Sequence, residues 1–223
     1  MIFDFHTHTF LSDGVLSPIE LIRRAVVRGY GAIGLTDHVG LANARRVIEA
    51  SRRECEAARE WNILALPGVE LTHVPAALID EAARNAREAG ARIVAVHGET
   101  ITEPVEPGTN RSALESDHID ILAHPGFLTE YEARLAAERG IFVEISARKG
   151  HSLTNGHIVK VCRRAGARMI VDSDAHEPQD LLTPELVRQV ALGAGLAEEE
   201  LDQVLMQNPL TLLAKLGLKP VGV

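Results

Sequence analysis

Short apolar runs alternate along this chain with longer stretches whose apolar residues recur every three or four positions. Runs at 2–6 (IFDFH), 32–36 (AIGLT), 63–69 (ILALPGV), 92–97 (RIVAVH), 119–123 (IDILA), 141–145 (IFVEI) and 168–172 (RMIVD) predict buried strands. Between them, "PIELIRRAVVRG", "NARRVIEASRRECEAARE", "AALIDEAARNAREAG", "TEYEARLAAERG" and "NGHIVKVCRRAG" predict amphipathic helices. Several open on Pro, Thr or Asn and close on Gly, as helix caps do. The tail segments "TPELVRQVALGAG", "AEEELDQVLMQ" and "NPLTLLAKLGL" read as closing helices. Strand followed by helix, repeated, predicts an α/β fold with a parallel sheet and right-handed crossovers. A closed barrel and a doubly wound open sheet both satisfy that rhythm.

The residues that end the strands separate the two. His6 and His8 end the first, Asp37 and His38 the second, and Glu70 the third. His97 and His124 end the fourth and fifth, Arg148 follows the sixth, and Asp174 and His176 follow the seventh. In a barrel these ends share one rim, whereas in an open sheet they are strung out. Convergence therefore favours a distorted (β/α)7 TIM-like barrel, one domain over residues 1–223. Residues two apart in a strand point the same way, so His6 and His8 can grip one ion. Asp174 and His176 repeat the spacing on the last strand, which neighbours the first in a closed barrel. Imidazole and carboxylate together suit zinc, manganese or iron.

Composition narrows the picture. With 46% hydrophobic residues the chain can build one large core. A net charge of −8 and 4% aromatics argue against a protein that coats nucleic acid, and bound cations would offset part of the acidity. Cys55 and Cys162 lie far apart in helical patterns and read as free thiols of a cytoplasmic protein. No apolar run approaches the ~20 residues of a membrane span.

Taken in order, "HTHTFLSDG", "LTDH", "PGVE", "VAVHGE", "LAHPG" and "VDSDAH" resemble the PHP (polymerase and histidinol phosphatase) superfamily over nearly the whole chain. "EPGTN" and "RKGHSLTNGH" are similar to segments of its short, histidinol-phosphatase-like members. The resemblance implies a distorted seven-stranded barrel, two to three divalent ions (Zn, Mn or Fe) and cleavage of phosphoester bonds. It implies a first ion on His6, His8, Glu70 and Asp174, a second on Glu70, His97 and His124, and a third on Asp13, His38 and His176. Some members have histidine where this chain has Asp13.

From these parts we expect a phosphomonoesterase that hydrolyses a small phosphorylated metabolite through a metal-activated hydroxide. Arg148 is expected to clamp the phosphoryl group, because its planar fork suits phosphate. Lys149 and Asn155 on the same loop, and Glu99 two residues past His97, are the expected substrate contacts, with Glu103 and Arg111 ranked below Glu99. The leaving group would take its proton from His151, His176 or a metal-bound water. Asp37 is expected to orient or support a ligand, and His73, His118 and His157 to lie outside the site, His118 as a structural and His157 as a surface residue. The alternatives are a phosphodiesterase or exonuclease, which wants a basic groove and stacking aromatics, an amidohydrolase-type barrel, and a non-catalytic scaffold.

Overall fold

Each of the predicted strands forms, and all of them run parallel in one sheet. The structure, a computed structural model, describes residues 1–219. Its order is β1 (Ile2–Asp4), α1 (Pro18–Val27), β2 (Tyr30–Leu35), β3 (His38–Val39), α2 (Ala44–Ala57), β4 (Leu64–Leu71), α3 (Ile79–Glu88), β5 (Ile93–His97), α4 (Thr109–Glu115), β6 (Ile121–Ala123), α5 (Glu130–Arg139), β7 (Phe142–Ser146), α6 (Asn155–Ala165), β8 (Met169–Asp172), α7 (Pro184–Gly193) and α8 (Asn208–Lys215). Neighbours run β1-β2-β4-β5-β6-β7-β8, and the two-residue β3 pairs with the end of β4, His38 opposite Glu70. Helix starts follow side-chain chemistry. The Ser17 hydroxyl accepts from Glu20 N–H ahead of Pro18, and Thr129 with Glu132 forms a reciprocal capping box.

The last strand meets the first, as the paired His-x-His and Asp-x-His motifs require, but not through a regular ladder. One isolated bridge, Thr7 to Ala175, joins them. Below it two carboxylates take the place of carbonyls: Asp172 Oδ1 accepts from Phe5 N–H at 2.6 Å, and Asp4 Oδ1 from Ser173 N–H at 3.0 Å. Flanking it, Asp174 N–H donates to His6 O at 2.9 Å and His8 N–H to Ala175 O at 2.8 Å. The distortion thus sits at the seam that carries four of the expected ligands.

Inside the barrel, Phe3, Phe5, Leu66, Ile93, Ile121, Phe142 and Ile170 fill the N-terminal end, and Leu212 and Leu213 of α8 pack against them. Burying each such leucine contributes about 1.5–3 kcal/mol. The apolar filling forces the polar residues of the interior to the opposite end. A second apolar layer lies between sheet and helices and includes Val94, Val96, Val143, Ile158 and Cys162. Cys55 and Cys162 are both buried and unpaired. Among the described residues no helix is long and apolar enough to cross a membrane.

Helix α4 and strand β3 were not legible in the hydrophobic pattern. Helix α4 spans 7 residues, too few for a periodicity, and opens with Thr, Asn and Arg. It is held from outside: Glu99 Oε1 accepts from the N–H groups of Gly108 and Asn110 at 3.0 and 2.9 Å. That contact corrects the expectation for Glu99, whose carboxylate caps a helix rather than lining the pocket.

Candidate metal centre

Glu70, wholly buried at the C-terminal end of β4, is the hub of the rim. Its Oε1 lies 3.4 Å from His6 Nε2, 3.2 Å from His97 Nδ1 and 3.3 Å from His124 Nε2. Its Oε2 lies 2.6 Å from His38 Nδ1 and 3.7 Å from His8 Nε2. Asp174, after β8, places Oδ1 3.1 Å from His8 Nε2 and 3.8 Å from His6 Nε2, and Oδ2 3.8 Å from His124 Nε2. Nearer solvent, Asp13 Oδ1 lies 3.2 Å from His176 Nε2 and 3.6 Å from His38 Nε2.

Asp13 returns to the rim because residues 9–14 fold back on the strand end. Asp37 holds that fold, accepting from Thr9 N–H at 2.7 Å, from the Thr9 hydroxyl and from the Ser12 hydroxyl at 2.8 Å. Gly14 permits it, since a Cβ there would lie 2.4 Å from His8 O. Asp37 is therefore the supporting group that the sequence suggested.

All nine expected ligands converge, in overlapping sets whose donor atoms lie within 4.8 Å of one another. These include His6, His8 and Glu70; His38, Glu70 and His97; His6, His124 and Asp174; and His8, Asp13, His38 and His176. Two details differ from the expected partition. His8 faces both the deep sets and the outer one, and His38 turns Nδ1 to Glu70 while Nε2 faces Asp13.

The donor set fits divalent cations on an observation internal to the fold. His6 Nε2, both ring nitrogens of His8 and of His124, and Asp174 Oδ1 are buried without a hydrogen bond. An unsatisfied buried polar group costs about 1–3 kcal/mol, and here several converge on one space. Backbone strain gathers at the same place. Among the described residues four non-glycine residues have positive φ, and three are His73 (51°), His124 (26°) and Asp174 (52°). Each such residue costs about 1–3 kcal/mol and persists where its surroundings over-determine it.

Charge is balanced within the cluster. Burial pushes the Glu70 carboxyl up, but His6 and the other histidines outweigh it and hold it well below the usual carboxylate range. Burial lowers His6, yet Glu144, Glu70 and Asp174 together raise it well above an ordinary histidine. His97 is lowered by burial but raised on balance, by Glu70 and Glu103, to about 10. His8 is dominated by burial and drops to about 3.

Around the ligands lies a cavity of about 410 Å³, lined by Asp13, His38, Thr72, His73, His97, Glu103, Arg148, His151, Asp174 and His176 among others. Arg148 Nη1 donates to Asp174 O at 3.1 Å, and its Nε lies 3.7 Å from Asp174 Oδ2. His151 stacks on His124 at 4.1 Å between centroids and shares a hydrogen bond of 2.7 Å through Nδ1 with the Thr100 hydroxyl. Lys149 is exposed and borders an adjoining cavity that shares Arg148 and His176. Asn155 does not reach the site. Its amide bonds both ways to the Ser146 backbone, at 3.1 and 2.8 Å, and so fixes the loop that carries Arg148. His157, expected at the surface, is partly buried and bonds to Leu128 O.

One carboxylate was ranked too low and one was missed. Glu103, ranked below Glu99, places Oε2 3.2 Å from His97 Nε2 and 3.6 Å from His73 Nε2. Glu144 places Oε2 2.6 Å from His6 Nδ1. The signal for Glu144 was present: a lone acid within the apolar strand "IFVEI" is seldom buried without a partner.

A parallel barrel with this His, Glu and Asp cluster at its C-terminal rim defines a metal-dependent hydrolase of the TIM-like class. The PHP domain family model matches residues 4–138, and the chain belongs to that family. It is 44% identical over 218 residues to an uncharacterized protein of Methanocaldococcus jannaschii, covering 97% of this chain and 100% of that one. It is 29% identical to a protein of Thermoanaerobacter sp. named "Probable phosphatase", covering 89% of each. It is 26% identical to Ribonuclease P protein component 3 of Methanosarcina mazei, covering 96% of this chain and 89% of that one. Family and site together make the chain a metal-dependent phosphoester hydrolase.

Proposed function

We propose that the chain is a phosphomonoesterase for a small phosphorylated metabolite, with His6, His8, Asp13, His38, Glu70, His97, His124, Asp174 and His176 holding three divalent ions. The observation that carries this reading is the position of Glu70, between five histidines from four segments of the rim and beside a cavity of about 410 Å³. A cavity of that size suits a small ester. The Thermoanaerobacter relative supports the same class.

Divalent ions, when bound, lower the pKa of water and neutralise charge on a phosphoryl group. The chain supplies the remainder. Arg148 is tethered to the Asp174 carbonyl, so its guanidinium is oriented before substrate arrives and can meet phosphoryl oxygens in a fork. Of the two histidines considered as leaving-group acid, His176 faces Asp13, whereas His151 is oriented by Thr100 and presents Nε2 to the cavity. Burial lowers His151 to about 4, so it is neutral at pH 7 before substrate binds. A phosphate dianion beside it favours the protonated form, which can then pass its proton to the leaving alkoxide.

Arg148→Ala is expected to lower kcat/KM by ~10²–10³, the usual loss for one charge-stabilising donor, without changing the metal content measured by elemental analysis. Equal kcat/KM for the two proteins would remove Arg148 from the site.

A second reading is cleavage of a phosphodiester in nucleic acid. The identity to the Ribonuclease P component over nearly the whole chain favours it, against the acidic charge. A turnover screen of the metal-reconstituted protein separates the two. Phosphomonoesters should be hydrolysed faster than bis-aryl phosphates and short oligonucleotides. If any diester turns over faster than every monoester, the second reading replaces the first.

A further inference from the structure

We propose that Glu144 is a positioning residue for the metal centre, and that it holds His6 in the one tautomer that can serve as a ligand. The inference rests on reading the cluster as a metal site. Glu144 and His6 are both wholly buried, and Glu144 Oε2 lies 2.6 Å from His6 Nδ1. The other ring nitrogen, Nε2, has no hydrogen bond and lies 3.4 Å from Glu70 Oε1 and 3.8 Å from Asp174 Oδ1. A carboxylate can only accept, so Nδ1 carries the proton. Nε2 is then the nitrogen that gives up its proton to a metal and offers its lone pair to the space that Glu70 and Asp174 border. The opposite tautomer would place a proton there and block coordination. An outer carboxylate on a ligating histidine also raises the basicity of the ring and fixes its plane.

A purely structural role does not explain this glutamate. Its second oxygen, Oε1, is buried without a partner, and on the neighbouring strand β8 so is Asp172 Oδ2. A buried carboxylate with half its acceptors unfilled costs the fold stability. A residue retained for stability would be paired on both sides or be apolar. Glu144 meets only one requirement fully, the proton on His6. Its strand β7 contributes no ligand of its own to the expected set, so this is the way that strand acts on the metal centre.

The test compares full-length wild type, Glu144→Gln and Glu144→Ala, each stripped of metal. Zn²⁺ binding is measured by competition with a chromogenic chelator, and the Tm of each metal-free protein is measured alongside. Glu144→Gln keeps the shape but can offer an N–H to Nδ1, which drives the ring toward the blocking tautomer. Its affinity for at least one Zn²⁺ should fall by ~10–100-fold, the usual loss for an outer partner. The metal-free Tm should fall, because buried His6 loses a counter-charge, so zinc affinity and not Tm decides the test. A ¹⁵N NMR measurement on the zinc-loaded wild type should show His6 protonated at Nδ1. Unchanged zinc affinity in Glu144→Gln, with or without a lower Tm, overturns the proposal and leaves Glu144 a structural residue. A wild type that takes up no zinc overturns the metal reading itself, and this inference with it.

Discussion

Glu70→Gln will cost the protein more than ~10³-fold in kcat/KM, beyond the ~10²–10³ typical of a single lost donor, and will lower its metal content. Two of the three deep candidate sets include this one side chain, and the third, His6, His124 and Asp174, shares His6 with it. Both of its oxygens are engaged, Oε1 with His6, His97 and His124 and Oε2 with His38 and His8. Gln keeps the volume and one acceptor but removes the charge that makes the cluster attractive to cations. It also leaves several histidines without their common counter-charge, and so opposes both metal loading and the metal-free fold. Far-UV circular dichroism is the control that the barrel persists. Elemental analysis and a phosphomonoester assay read the result. A Glu70→Gln protein with full metal content and activity within ~10-fold of wild type would remove Glu70 from the centre of the site.

Chelation will lower the melting temperature by ~10–20 °C. An ion present at 100 times its Kd stabilises the native state by about 2.7 kcal/mol, so two such ions contribute about 5 kcal/mol. In a protein of this size each kcal/mol moves Tm by about 2–4 °C. The shift should also depend on pH, with a sign fixed by the histidines. The folded pKa of His97 is raised to about 10 against an ordinary 6.5. In the metal-free protein its contribution is fully present below 6.5 and is lost as pH rises toward 10. Metal binding requires the neutral ring, so affinity rises over the same window. Both effects widen the gap between loaded and stripped protein as pH increases. Differential scanning fluorimetry with and without chelator should give a larger Tm difference at pH 8.5 than at pH 6.5. No difference on chelation at either pH would mean that the cluster does not hold metal in the native protein.

Much of this architecture is legible in one dimension. Strand existence follows from apolar runs such as RIVAVH and RMIVD, since a strand covered on both faces has no polar face to display. Ligand candidacy follows from where His6, His97, His124 and Asp174 fall, at strand ends, because a parallel barrel gathers those ends whatever the lengths of its loops. Asp13 is harder, since three residues of turn separate it from Thr9. Its return depends on Asp37 accepting from Thr9 and Ser12, a contact between segments some 25 residues apart.

What the sequence determined by itself is thus the periodic part: the strand–helix rhythm, the barrel it implies, and the candidacy of the polar residues at the strand ends, because both strand geometry and strand-end convergence repeat along the chain. What only the tertiary structure decided is which polar side chains face which atoms. Glu99, two residues past His97, turns away to cap α4, while Glu103, on the same loop, reaches His97 and His73. Asn155 holds a loop rather than a substrate. Glu144, inside an apolar strand, bonds to a histidine 138 residues away. The seam between β1 and β8 is closed by Asp4 and Asp172 in place of carbonyls. None of these choices has a period, because each depends on the direction of a single side chain against a neighbour distant in sequence. The energy that selects it, one hydrogen bond or one buried charge, exists only once the barrel has closed.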